Sequence, residues 1–95
     1  MGTYYVYIIT NKTNGTLYTG FTDDLNRRIR EYKSGVCKGF AYKYNLTKLV
    51  YFEEFQNSSE AFIRERQMKK WKREWKINRI EEMNPDWHDL AEDWE

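Results

Sequence analysis

The sequence predicts an α+β fold, and three observations carry that prediction. Residues 4–10, YYVYIIT, and 16–21, TLYTGF, are rich in β-branched and aromatic residues and flank a turn-forming stretch. Residues 47–55, TKLVYFEEF, repeat the strand character after a helical segment. Residues 57–83 then carry a second, longer helical pattern.

The first two strands should form a hairpin. Between them NKTNG supplies Asn and Gly, which tolerate the positive φ of tight turns. A two-residue turn at Asn14-Gly15 pairs Thr13 with Thr16, and a four-residue loop over 11–14 pairs Thr10 with Gly15. Either register puts Tyr7 and Tyr18 on one face of the sheet, because side chains alternate with period two. Thr22, Asp23 and Asp24 then provide capping oxygens and negative charge for a helix start. That helix carries Leu25, Ile29 and Tyr32 at helical spacing, sets Arg28 on the side of Tyr32, and stops at Gly35. Residues 36–45 read as loop or one helical turn. Asn57 to Glu60 open the second helix, with a break expected near Trp71 or Lys72, and Asn84-Pro85 ends it. Trp87, Leu90 and Trp94 are the candidates for docking the remaining tail.

Composition narrows the function classes. A chain of 95 residues supports one domain with one modest core, divided here into residues 1–83 and an acidic tail over 84–95. With 40% hydrophobic, 18% aromatic and 33% charged residues and one proline, disordered and collagen-like classes are excluded. Cys37 is alone, which excludes an intramolecular disulfide and a cysteine-built zinc site. No leader or membrane span is read, so cytoplasm is the expected location. Residues 1–80 hold 16 Lys and Arg against 8 acids, a balance of +8, while residues 81–95 hold 7 acids and no Lys or Arg, leaving the net +1. A basic body points to an anionic partner, nucleic acid first, with the tail as solubiliser or competitor for the basic face.

One residue resists a purely structural reading. Ala61, Met68, Trp71 and Trp75 fall on one arc of the second helical segment, and Glu65 falls inside the arc that also takes in Phe62. A carboxylate turned toward a packed face must be paired, hydrogen-bonded or metal-bound; pairing with Lys69 at i+4 is the alternative to metal. Two same-face tyrosines, an arginine and a carboxylate are a set able to cut a phosphodiester. The carboxylate can hold a divalent cation, the arginine can neutralise transition-state charge, and a tyrosine can help deprotonate water, attack, or orient.

The segments VYIIT, LYTG, DLNRRI and AFIRERQMKKW, in this order over residues 4–80, resemble the GIY-YIG nucleases. The likeness is to the small stand-alone bacterial members and to the nuclease domain of the bacterial excinuclease. The resemblance implies a small three-stranded antiparallel sheet flanked by helices, and DNA cleavage with one bound divalent ion, Mg²⁺ or Mn²⁺. It implies that Tyr7 and Tyr18 are the motif tyrosines, Arg28 the helix arginine, Tyr32 the position one turn later, and Glu65 the metal ligand. The first motif here lacks glycine, the second reads Tyr18-Thr19-Gly20, and Phe21 stands where many members have lysine. Asn78 is the candidate for a downstream asparagine used by several relatives. Lys69, Lys70, Lys72, Arg73, Lys76 and Arg79, interleaved with Trp71 and Trp75, form a candidate nucleic-acid-binding surface, with Arg27 added from the first helix. A non-catalytic nucleic-acid-binding module and a protein-interaction domain are the competing functions.

Overall fold

The computed structural model describes residues 2–94. Strand β1 (Tyr4–Thr10) is the middle of a three-stranded sheet, flanked by β2 (Leu17–Thr22) and β3 (Lys48–Phe55), both antiparallel to it. A central strand covered on both sides needs an unbroken apolar run, and Val6, Tyr7, Ile8 and Ile9 are all buried.

The β1–β2 connection differs from both expected turns. Thr10 pairs with Leu17, leaving a six-residue loop over 11–16. Side chains close this loop. Asn11 Oδ1 accepts from Thr16 N (3.0 Å), Thr10 Oγ1 donates to Thr16 O (2.7 Å), and Gly15 N donates to Lys12 O (2.8 Å). These bonds satisfy the backbone groups that further ladder pairing would otherwise use. Tyr18 pairs with Ile9 and Tyr7 with Gly20, so the two tyrosines do share a face.

Helix α1 (Leu25–Ser34) begins at Asp24, whose carboxylate accepts from Arg27 N, and ends at Gly35 with φ 78°. Glycine is suited to that left-handed cap. The segment after it contains α2 (Phe40–Lys43), one turn anchored by buried Ala41. Helix α3 (Ser58–Lys69) is capped by Asn57 Oδ1, which accepts from Ser59 N and Glu60 N. Helix α4 (Arg73–Met83) follows a break at residues 70–72.

That break corrects the helical arc. Ala61, Glu65 and Met68 are buried on α3, but Trp75 stands exposed on α4 because the break resets the helical phase. Phe62 is also exposed. Trp71, in the break, is partly buried, with the Arg64 and Arg79 guanidiniums 4.9 and 5.8 Å from its ring centroid.

The sheet separates two cores. One face gathers Val6, Ile8, Val50, Tyr51, Ala61, Met68 and Ile80; the other gathers Tyr7, Ile9, Leu25, Ile29, Leu46 and Leu49. A bulge in β3 puts both Val50 and Tyr51 on the first face, since Ile8 pairs with Tyr51 and Ile9 with Leu49. The acidic C-terminal segment is tied to β3 rather than held free. Trp87 is buried in the first core, Leu90 N donates to Leu49 O (2.7 Å), and Asp89 accepts from Leu49 N while pairing with Lys33. Residue 95 lies outside the described residues.

Candidate active site

Tyr7 anchors the site from the middle strand. Its side chain is 1% exposed and lies across β2 over Gly20, its register partner. A Cβ at Gly20 would fall on the Tyr7 ring, far inside van der Waals contact. Glycine is therefore what lets that ring lie across the strand.

From this position the Tyr7 hydroxyl reaches Tyr32 on α1, with the two oxygens 2.8 Å apart and the rings in edge contact at 6.1 Å. Tyr18 extends the cluster, its ring 6.5 Å from that of Tyr32. Tyr18, Arg28, Tyr32, Cys37, Lys38 and Phe40 line one cavity of about 310 Å³. Asp24 capping sets the helical phase that brings Arg28 to the tyrosines. The Arg28 Nε is buried with no hydrogen-bond partner, and the Glu31 carboxylate lies 3.7 Å away, too far for a good bond. Buried N–H groups normally find partners; the Arg28 side chain as a whole is 36% exposed, so the guanidinium remains open to an acceptor from outside the chain. Arg27 instead lies on the outer side, loosely paired with Asp23 and Glu31 at 3.8 and 3.9 Å.

Glu65 comes from α3 and is 8% exposed. Of the two readings of its burial, the ion pair is present: Lys69 Nζ sits 2.8 Å from its carboxylate and 5.5 Å from the Tyr18 ring. The hydrogen bond from Lys69 to Glu65 holds the lysine's pKa above its ordinary value despite desolvation. Lys69 thus joins the carboxylate to the tyrosine cluster. Lys76 has a depressed pKa, through burial first and then the charges of Lys69 and Arg73, which places these three cations in one group. Arg73 also donates to the carbonyls of Asn14 and Gly15, both at 2.6 Å, pinning α4 to the hairpin loop. Lys72 lies over Trp75, and Lys70 borders Phe62, Ile63 and Arg66. Asn78 lines a groove with Trp71, Trp75, Arg79 and Glu82, and is not part of the tyrosine cavity. Phe21 packs on the opposite core, stacked on Tyr4 at 6.3 Å and against Phe62 at 6.2 Å. His88 is exposed in the C-terminal segment.

Burial, then the hydrogen bond to Tyr32, pushes the Tyr7 hydroxyl well above the ordinary tyrosine pKa; burial also raises Tyr32. Both are neutral hydroxyls near neutral pH, suited to orienting rather than to abstracting a proton. In alkali the unfolded chain gives up the Tyr7 proton near pH 10 while the native state keeps it. The stability tied to this proton is therefore fully present below about pH 10 and should be lost above it, by up to about 1.4 kcal/mol per pH unit. Urea unfolding across that range checks this, and Tyr7→Phe should flatten the slope. An unchanged slope in the variant would contradict it.

Two features of the site have no clear signal in the sequence. Lys38 and Phe40 belong to a stretch that reads only as loop or one turn, and their place on the cavity depends on how α2 folds back. The role of Gly20 requires the cross-strand register. No helix is long and apolar enough to cross a membrane, and no group of three or more His, Cys, Asp or Glu could hold a metal, among the described residues.

Sheet, caps and cavity together define a small α+β domain with a tyrosine-lined cavity. The chain belongs to the GIY-YIG catalytic domain family, which matches residues 3–78. Domains of this family are endonucleases acting on nucleic acid, and they generally use a divalent metal. The chain is 42% identical over 82 residues to a UPF0213 protein of Staphylococcus haemolyticus, covering 86% of this chain and 99% of that one. It is 41% identical over 76 residues to a UPF0213 protein of Clostridium perfringens, covering 80% and 81%. The solution NMR structure of a UPF0213 protein from Bacillus halodurans superimposes with a TM-score of 0.57 at 26% identity, covering 98% of this chain and 99% of that one. The sheet and helices are thus those expected from the resemblance.

Proposed function

We propose that this protein is a divalent-metal-dependent endonuclease that hydrolyses phosphodiester bonds in DNA, in the setting of repair or recombination in the cytoplasm. The observation that carries the proposal is the partly exposed Arg28 guanidinium on the cavity shared with Tyr18 and Tyr32, its Nε without a hydrogen-bond partner within the chain. An anionic phosphate oxygen is the acceptor such a donor suits, through a charge-assisted bond.

The donor set suits a particular kind of metal. Glu65 supplies one hard-oxygen carboxylate, with no cluster of further ligands among the described residues. That fits Mg²⁺ or Mn²⁺, which keep several waters and take one or two carboxylates plus substrate phosphate oxygens. It does not fit a structural zinc site. When bound, the ion supplies polarisation of the phosphate and support for the leaving oxygen's charge. Glu65 would hold it, and Lys69 would release the carboxylate to contact a phosphate instead. Arg28 binds the scissile phosphate and offsets the charge of the pentavalent transition state. Tyr7, held neutral and fixed by Tyr32, positions the cluster. Tyr18, half-buried on the cavity wall, orients the attacking water. Lys69, Arg73 and Lys76 bind flanking phosphates, with Arg27, Lys70 and Lys72 adding longer-range attraction.

The test is cleavage of labelled duplex, single-stranded, flapped and four-way DNA in Mg²⁺, Mn²⁺ or EDTA. The parent should cut only with metal, and Arg28→Ala should be slower by roughly 100-fold or more while remaining folded. Salt-sensitive binding without any cutting would replace this reading with the non-catalytic binding module.

A further inference from the structure

The outer rim of the tyrosine cavity is used neither by the core nor by the chemistry proposed above. Residues 36–44 supply it. Helix α2 is anchored by buried Ala41, whose carbonyl accepts from Leu46 N at 2.9 Å. Phe40, Tyr42 and Tyr44 remain 48%, 55% and 41% exposed. Large aromatic side chains grouped on the surface mark a place where something binds. Phe40 links this patch to the site, its ring 6.1 Å from Tyr18 and 4.8 Å from Tyr44. The rings of Tyr32, Tyr18, Phe40 and Tyr44 therefore form a continuous row from the buried hydroxyls to solvent.

The row is flanked by positive charge. Lys38 lines the cavity and holds its ammonium 4.0 Å from the Tyr42 ring centroid, and Lys43 lies 5.5 Å from that of Tyr44. The nearby carboxylate, Glu31, is within 4 Å of both Arg27 and Arg28. Aromatic faces alternating with cations are complementary to a strand of stacked bases and phosphates. A paired base inside a duplex has both faces covered by its neighbours, so only an unpaired one can stack here.

We infer that Phe40 and Tyr44 form a stacking platform for an unpaired nucleobase beside the scissile phosphate, with Lys38 binding the adjoining phosphate. Resting on the endonuclease reading, this names the substrate class: DNA with unpaired nucleotides at the cut, whether single-stranded, flapped or branched.

The experiment is fluorescence anisotropy in EDTA with fluorescein-labelled oligodeoxythymidine, alone or paired with oligodeoxyadenosine. The parent is compared with Phe40→Ala, Phe40→Leu and Phe40→Tyr. Phe40→Leu keeps apolar bulk without a π face, which protects the fold, and melting temperatures are read alongside. Phe40→Ala and Phe40→Leu should weaken single-strand binding by roughly 5- to 100-fold and duplex binding by less than about 2-fold, with Phe40→Tyr close to the parent. Equal losses on both DNAs, or none on the single strand, overturn the platform. So does a patch that joins two copies of the chain, seen as a fall in sedimenting mass in Phe40→Ala without a change in DNA affinity. Because binding is read without metal, the two proposals fail separately. Phe40-dependent binding by a parent that never cuts rejects the nuclease and keeps the platform. Cutting of unpaired DNA that ignores Phe40 does the reverse.

Discussion

Glu65→Ala should cut DNA at least roughly 1,000-fold more slowly than the parent, a loss of several kcal/mol of transition-state stabilisation. Its fold should survive. Removing one member of a buried ion pair is severe when the partner is left stranded. Here the partner is not stranded, because the Lys69 side chain is 46% exposed and its ammonium can turn to water. The expected stability cost is therefore about 1 kcal/mol or less. Binding should move the other way. The substitution removes a negative charge from the site and frees a cation, so affinity for DNA in EDTA should hold or rise. Lost cutting with retained binding is a signature that general unfolding cannot produce. Paired cleavage, anisotropy and thermal melting would read all three. Parental cutting rates in Glu65→Ala would move the metal centre elsewhere.

The parts of this site that are legible in the sequence are those set by local signals. Asp24, Gly35 and Asn57 bound their helices because caps act within one turn. Tyr7 and Tyr18 fall on one face because strand parity is insensitive to whether the loop has two, four or six residues. Glu65 and Lys69 are visible as an i,i+4 pair, but the ring of Tyr18 beside Lys69 comes from another element and has no sequence signature. Trp75 is misplaced by a helical arc that presumes one unbroken helix, and residues 70–72 interrupt it. The acidic segment has the composition of a solvated charge run. Asp89 instead bonds the backbone of β3, while Trp87, Leu90 and Trp94 dock as their apolar character predicts, because a few buried contacts outweigh the average polarity of a stretch. Phe40 carries no sequence signal for a related reason: exposure of an aromatic residue is decided by the packing of Ala41 beside it.

Gly20→Ala tests the geometry on which the tyrosine cluster depends. Gly20 is part of a strand, where alanine is ordinarily no worse than glycine and relieves the entropy that glycine loses. Local propensity therefore predicts a neutral or slightly stabilising change. The packing predicts the opposite. The new methyl would meet Cζ, Cε1 and the hydroxyl oxygen of Tyr7, whose side chain is buried and held by Tyr32. Overpacking of this kind costs about 1–3 kcal/mol. The ring must shift, the Tyr7–Tyr32 bond must break or bend, and cutting should fall by roughly 10- to 100-fold through misplacement of the cluster. Tyr7→Phe should not rescue stability in the double variant, because the clash with the ring carbons remains. A displaced Tyr7 is also a wetter one. The number of tyrosines that resist ionisation in alkali should drop in Gly20→Ala, measurable as an earlier rise in tyrosinate absorbance. Were Gly20→Ala as stable and as active as the parent, with an unchanged tyrosine titration, Tyr7 could not lie across the second strand as described. The role of the glycine would then reduce to local backbone preference, and the cluster would need another anchor.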